Sequence, residues 1–227
     1  LLRIPRAKTK HEMYGTAVHA ALRDLFVQAK ERTVPKEFLL NAFRRYLGNE
    51  ALAQNDFDES LARGRAALSG YYDRYHGDWQ TNVITEFSIP GVLLAPDIRL
   101  TGRIDKLEFV GSGTEVNVVD YKTGKPKARR GLEEGNEKRQ LVFYRVLLDH
   151  HEEGKYRMTS ADIDFIQPDA KGRYHREHFV ISPEEARELA ALIMRVGGEI
   201  LSLSFWDARC GRSECEFCAL RDMMQHA

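Results

Sequence analysis

The sequence has no apolar stretch approaching the roughly 20 residues that a helix needs to cross a bilayer, and it has no recognisable signal peptide. We therefore expect no membrane span. It also lacks an excess of charge of either sign, because 34 Lys and Arg residues balance 34 Asp and Glu residues. A nucleic-acid-binding role then requires basic residues that cluster locally. Repeats and low-complexity tracts are absent too, and 43% hydrophobic with 30% charged residues is an ordinary composition for a soluble protein.

Cysteine is scarce and confined to one end of the chain, at Cys210, Cys215 and Cys218. An odd, clustered set does not suit a secreted disulfide framework, so the sequence indicates a cytoplasmic protein. The chain also begins at Leu1 without an initiator Met. We expect it to be part of a longer polypeptide.

The pattern of apolar residues predicts one α/β domain over residues 1–227, in three parts. Residues 1–80 are predicted to be mainly helical, with apolar residues at helical spacing in Gly15–Glu31, Pro35–Leu47 and Phe57–His76. Residues 183–227 are predicted to hold a helix, capped by Ser182, and a cysteine-containing tail.

Residues 81–182 are predicted to form the sheet core. Alternating, β-rich runs predict strands at Val83–Ile89, Ile98–Val110, Val116–Tyr121, Ile163–Gln167 and His175–Ile181. Residues 91–96 are predicted to be a turn, and Gln140–His151 a helix.

Two aspartates and a lysine carry the chemistry. Asp105 and Asp120 lie on neighbouring predicted strands joined by a Gly-rich turn, which can bring both carboxylates to one end of the sheet. Two close carboxylates repel unless a cation lies between them, and oxygen ligands suit Mg²⁺ or Mn²⁺. Lys122 is on the same strand face as Asp120. This set suits phosphodiester hydrolysis, with the lysine positioning or deprotonating a water or stabilising the transition state.

Each of these features also has an ordinary structural interpretation. Asp120 and Lys122 could be a solvated pair at a strand end, although this leaves the motif around Asp105 unexplained. His19, at the edge of an apolar helix stripe, is a plausible imidazole ligand or a partly buried core residue. Glu86 could be a further acid near the metal, although a solvent-facing position on its strand is the favoured prediction.

A helix and a loop are candidate DNA contacts. Gln140 and Tyr144 share one helix face and could contact phosphate or stack on a base, or could simply pack in an amphipathic helix. The loop after the Asp-x-Lys strand is the clearest basic cluster. It suits phosphate contacts or is a mobile, solvated segment, and its cations are Lys125, Lys127, Arg129 and Arg130.

Taken in order, these motifs resemble those of RecB-like nucleases of the PD-(D/E)XK superfamily. The motifs are Gly15-Thr16-x-x-His19, Gly102-Arg103-Ile104-Asp105, Asp120-Tyr121-Lys122-Thr123-Gly124 and Gln140-x-x-x-Tyr144. Each is weak alone, whereas four in this order are specific. The resemblance implies a restriction-endonuclease-like α/β fold, with a mixed sheet flanked by helices and a helical N-terminal part.

The resemblance also implies a role for each motif residue. His19, Asp105, Asp120 and the main-chain carbonyl of Tyr121 would bind Mg²⁺ or Mn²⁺, and Lys122 would be catalytic.

The resemblance also implies a DNA substrate and helicase domains as partners. Gln140 and Tyr144 would lie at the DNA-binding face, with single strands or DNA ends as the expected substrate. Such domains often form the C-terminal part of RecB, AddA, AddB or UvrD-like helicase–nucleases. We therefore expect helicase domains in the same polypeptide or in a partner subunit.

The cysteines depart from the iron–sulfur pattern of several relatives, which have one cysteine before the His-bearing helix and a C-x2-C-x5-C group near the C-terminus. Cys215 and Cys218 match the first pair, but the next position is Met224. A [4Fe–4S] cluster normally needs four thiolates, so we expect none on this chain. Zinc on the three cysteines, Cys210 included, with His226 is an alternative, as is a degenerate site with free thiols.

Two other functions stay open. The chain could be a non-catalytic DNA-binding or scaffolding module that keeps the nuclease fold. It could also be a metal-dependent enzyme acting on a phosphoester other than nucleic acid, which the basic loop and the Gln140–Tyr144 pair disfavour.

Overall fold

The structure is a computed structural model that describes residues 7–204, 210–212 and 214–225. A five-stranded sheet carries helices on both faces. The helices are α1 (Lys10–Ala29), α2 (Lys36–Gly48), α3 (Gln54–Tyr75), α4 (Arg129–Glu133), α5 (Asn136–His150), α6 (Pro183–Leu201) and α7 (Glu216–Gln225). The strands are β1 (Val83–Ala95), β2 (Ile98–Phe109), β3 (Glu115–Lys122), β4 (Arg157–Phe165) and β5 (His175–Phe179). The predicted α/β class, a mixed sheet flanked by helices, is confirmed.

The sheet is mixed, and its order follows the chain from β1 to β5. Strands β1, β2 and β3 form an antiparallel meander, β3 and β4 are parallel, and β5 returns antiparallel. Parallel neighbours need a crossover connection, and the segment containing α4 and α5 supplies it. This arrangement places α5 against the sheet beside the end of β3.

The helix α1 begins earlier than its apolar pattern predicts. Thr9 caps it, and the side chain of Glu12 accepts from the Thr9 backbone N–H in a complete capping box. The box fixes the first turn before the apolar stripe starts. The same device, with Ser182 and Glu185, starts α6 at the predicted position.

The predicted turn at residues 91–96 is wrong, because β1 continues to Ala95. The register against β2 shifts between Ile89 and Val92, where Pro90 lies. Proline is tolerated there because β1 is an edge strand and a bulge removes the need for its missing N–H. The chain then turns at Pro96 and Asp97.

Each face of the sheet has its own hydrophobic core. Helices α1, α2 and α3 pack on one face, around Leu22, Phe26 and Phe43. Helices α5 and α6 cover the other, around Leu147 and Ile163. The two layers hold the C-terminal end of β3 between α1 and α5.

No helix within the described ranges is long and apolar enough to cross a membrane.

Candidate active site

The antiparallel pairing of β2 and β3 brings the two aspartates together. Lys106 pairs with Val119, so Asp105 and Asp120 are opposite each other in the next register position. The backbone N–H of Tyr121 donates to Oδ2 of Asp105 at 2.9 Å. This bond fixes one oxygen of Asp105 on β3 and leaves the other free to face α1.

Helix α1 adds an imidazole to the carboxylates. Nδ1 of His19 is 3.1 Å from Oδ1 of Asp105, and the His19 ring meets the Tyr121 ring edge-on at 5.9 Å. Burial alone would lower the pKa of His19. The hydrogen bond to Asp105 and the negative charges of Asp105, Asp120 and Glu86 raise it overall. The site therefore attracts positive charge.

Glu86 completes a three-residue group that could hold a metal ion. One ligand atom each from His19, Glu86 and Asp105 lies within 4.8 Å of the others. The prediction that Glu86 faces solvent is wrong, since it is half-buried and its carboxylate pairs with Arg103 at 2.9 Å. Its φ of 51° is a left-handed conformation that non-glycine residues rarely adopt. Such strain is typical of functional sites.

A hydrogen-bonded chain joins Lys122 to Asp120 through α5. Nζ of Lys122 donates to Gln140 at 2.7 Å, and Gln140 donates to the Tyr144 hydroxyl at 2.6 Å. That hydroxyl donates to Oδ1 of Asp120 at 3.1 Å. Tyr144 is buried, so the predicted base stacking by its ring does not fit this structure. Gln140 and Tyr144 instead fix the side chains of Lys122 and Asp120 by hydrogen bonds.

One oxygen of Asp120 fits a metal ligand. Its Oδ2 is buried, and the Lys122 ammonium lies 2.7 Å away. Burial raises the pKa of Asp120 overall, despite the opposing charge of Lys122, and the nearby charge of Asp105 adds to the rise. A buried carboxylate oxygen beside a second carboxylate is stabilised by a further cation, and hard oxygen donors suit Mg²⁺ or Mn²⁺.

Two members of this candidate metal-binding group, His19 and Glu86, line a cavity of about 530 Å³. It is lined by α1, by β1 and β2 through Glu86 and Arg103, and by Thr123 after β3. Both large cations of this cavity are already neutralised. Arg103 pairs with Glu86, and Arg23 pairs with Asp24 at 2.8 Å.

Most of the predicted basic loop is paired with acids. Lys127 pairs with Glu137, Arg129 with Glu133 at 2.8 Å, and Arg130 with Glu134 at 2.8 Å. The last two pairs belong to the short helix α4, which no apolar pattern predicted. Lys125 is exposed and has no such partner among the described residues. Of the four predicted phosphate-binding cations, it alone keeps an uncompensated charge.

The three cysteine thiols converge, with their sulfur atoms within 4.8 Å of one another. Sγ of Cys210 is 3.7 Å from Sγ of Cys218. A hydrogen bond from the Cys218 backbone N–H lowers the pKa of Cys215 to about 7. His226 lies outside the described residues. Zinc binding and the expected absence of an iron–sulfur cluster both stay predictions.

Comparisons with known proteins agree with this fold. The family model for the PD-(D/E)XK nuclease superfamily matches residues 1–223, so the chain belongs to that superfamily. A crystal structure from Eubacterium rectale, of a protein provisionally described as an exonuclease, has a TM-score of 0.53 at 11% identity. The match covers 96% of this chain and 76% of that chain, and it supports the fold.

A second structure, that of SSO0001, aligns over 94% of this chain and 85% of its own at 18% identity. Its TM-score of 0.39 is too low to add to the argument. A search of curated proteins finds no significant match.

Proposed function

We propose that this nuclease-superfamily chain is a deoxyribonuclease that hydrolyses DNA phosphodiester bonds with Mg²⁺ or Mn²⁺. The observation that carries the proposal is the convergence of His19, Glu86 and Asp105, whose ligand atoms lie within 4.8 Å of one another, with Asp120 opposite Asp105 on the neighbouring strand. One buried oxygen of Asp120 has the Lys122 ammonium as its neighbour, at 2.7 Å. His19, Asp105, Asp120 and the main-chain carbonyl of Tyr121 would hold the metal. The position of Glu86 adds a fourth side chain to this ligand set.

A divalent cation bound here would supply an activated water and neutralise charge on the phosphate. The chain's own groups prepare the site for that chemistry. Tyr144 orients Asp120 through its hydroxyl, and the Tyr121 N–H orients Asp105. Gln140 accepts a hydrogen bond from Lys122 and so helps to hold the ammonium beside the Asp120 carboxylate.

Lys122 is the proposed catalytic residue. Its ammonium is 2.7 Å from Asp120, and its side chain keeps 27% of its surface exposed. An ammonium in this position stabilises the negative charge that develops on a phosphate during in-line attack. It also donates to a water placed between the phosphate and the carboxylates.

DNA as the substrate, with single strands or ends preferred, is part of the proposal, and the superfamily and the uncompensated Lys125 support it. The RecB-like motif order supports a role in DNA repair or recombination beside helicase domains, in the same polypeptide or in a partner subunit. That association is part of the proposal.

A cleavage assay tests the proposal. End-labelled single- and double-stranded DNA, linear and circular, is incubated with Mg²⁺, Mn²⁺ or EDTA. We expect metal-dependent cutting that EDTA abolishes and that Lys122→Ala lowers by about 100-fold or more. Lys30→Ala, which changes an exposed lysine at the far end of α1, is the matched control and should cut like the parent.

The outcomes separate the three functions. Cutting by Lys122→Ala at the parent rate would contradict the site. DNA binding without cutting under either metal would support a non-catalytic module. Turnover of a small phosphoester without DNA binding would support the third function. A requirement for ends would appear as resistance of the circular substrate.

A further inference from the structure

A second cavity of about 530 Å³ adjoins the metal site. His11 and Thr123 line both cavities, so the two form one groove along the N-terminal half of α1. The second cavity is lined by the segment after β3, by α3 through Arg63, and by Gln167 and Pro168 after β4. A strand bound at the metal site can continue into it.

The charge of the second cavity differs from that of the first. Its lining holds two permanent cations, Arg63 and Lys125, together with His11 and no carboxylate. In the first cavity, Arg23 and Arg103 face their own acids. Uncompensated positive charge therefore lies on one side of the metal site, where phosphates would be attracted.

Arg63 is held in place for an anion. Its guanidinium lies over the Tyr14 ring at 4.7 Å and donates to the Thr123 carbonyl at 2.9 Å. Tyr14 is itself buried, and Gln167 donates to its hydroxyl at 2.5 Å. A guanidinium fixed by stacking and by one hydrogen bond keeps other N–H groups free, and little entropy is lost when they bind a phosphate.

Lys125 provides the second cation, from the segment after β3. It is exposed and, among the described residues, has neither a hydrogen bond nor an ion pair. It follows the catalytic Asp-x-Lys segment by three residues. Its charge therefore lies close along the chain to Lys122, the last residue of β3.

From these observations we infer that the second cavity binds the phosphate next to the cleaved one on a nucleic-acid strand, with Arg63 and Lys125 as its cations. The inference rests on the proposed nuclease function and adds a direction to it. The strand leaves the metal site past Thr123 towards α3. Lys127, Arg129 and Arg130, which pair with acids, are not part of this subsite.

The test combines steady-state cleavage of a single-stranded oligonucleotide in Mg²⁺ with its binding in EDTA over a range of NaCl concentrations. We expect Arg63→Gln and Lys125→Gln each to raise KM about five- to tenfold without lowering kcat. Each should also reduce the slope of log affinity against log salt by about 0.7, the loss of one single-strand phosphate contact.

Two substitutions serve as controls. Arg65→Gln removes an exposed arginine two residues along α3, which points away from Arg63, and Lys30→Gln removes an exposed lysine on α1. Both should leave KM and the salt slope unchanged. Arg63→Lys, which keeps the charge, should restore most of the salt slope. Thermal unfolding of Arg63→Gln checks that the contact with Tyr14 is not needed for folding.

Failure of the inference and failure of the proposed function are distinguishable. If the parent cleaves DNA but the Arg63→Gln and Lys125→Gln variants keep its KM and salt slope, the subsite is wrong and the nuclease stands. If the parent neither cleaves nor binds the oligonucleotide, the proposed function is wrong, and the subsite is overturned with it.

Discussion

Lys106→Met removes the charge of a lysine that is only 1% exposed. Its ammonium lies 3.8 Å from the centre of the Phe26 ring and 2.8 Å from Oε1 of Glu108. The other oxygen of Glu108 accepts from Arg176 at 2.6 Å and from Asn117 at 3.0 Å. The change therefore leaves the buried Glu108 carboxylate without one of the two cations that neutralise it.

The size of the effect follows from this geometry. Burial would raise the pKa of Glu108, but the charges of Lys106 and Arg176 lower it overall, so the carboxylate depends on both cations. Breaking a buried pair costs about 3–5 kcal/mol. Burial lowers the pKa of Lys106, so the lysine pays a large desolvation cost that methionine avoids. We therefore expect the free energy of unfolding to fall by about 3 kcal/mol, the lower end of that range.

Urea denaturation followed by circular dichroism measures this loss. A change of about 3 kcal/mol should lower the midpoint by about 1 M or more. The double variant Lys106→Met with Glu108→Gln should lose about 1–3 kcal/mol less than the sum of the two single changes, because it leaves no orphaned charge. Lys155→Met, which breaks the exposed pair with Glu152, should leave the midpoint unchanged.

Two results would refute this reasoning. One is a Lys106→Met midpoint equal to that of the parent. The other is strict additivity in the double variant, since additivity would mean that Lys106 and Glu108 do not interact energetically.

Three further predictions follow from the site and the core. Glu86→Gln should raise the Mn²⁺ concentration for half-maximal cleavage by about tenfold, and an unchanged metal requirement would exclude Glu86 from the metal site. Gly64→Ala should cost about 1–3 kcal/mol, because its Cβ would lie 2.1 Å from the Phe43 ring; Gly48→Ala, with open space around it, is the control in urea denaturation. Burial raises the pKa of Tyr14 from 10.0 to about 12, so its contribution to stability is complete below pH 10 and is lost as the pH rises towards 12. The free energy of unfolding should fall by roughly 2.7 kcal/mol over this range. In urea denaturations at pH 9 to 12, the free energy of unfolding of Tyr14→Phe should fall by less than that of the parent.

The strands of the candidate active site were predictable because their signals are local. Strands β2 and β3 alternate in polarity, and a short Gly-rich connection fixes their antiparallel pairing. Asp105 and Asp120 then had to meet at one end of the sheet. The capping box of Thr9 and Glu12 was equally visible in the sequence, and it would have placed the start of α1 correctly.

Other features have no local sequence pattern that predicts them. The acids that neutralise Arg129 and Arg130 lie one helical turn away, but the pairing requires α4, which has too few residues for an apolar pattern. Glu86 has no motif of its own, and its turn towards His19 depends on a left-handed backbone conformation. The burial of Tyr144 follows from the packing of α5 on the sheet, which its own sequence leaves undetermined.

A calorimetric titration of Mn²⁺ into the parent, Asp120→Asn and Lys122→Ala, without DNA, tests the central claim most directly. We predict that the parent and Lys122→Ala bind the metal and that Asp120→Asn binds it at least about tenfold more weakly. Both variants should cut DNA at least about 100-fold more slowly than the parent. Equal Mn²⁺ binding by Asp120→Asn and the parent would contradict the account, because the metal would then lie elsewhere.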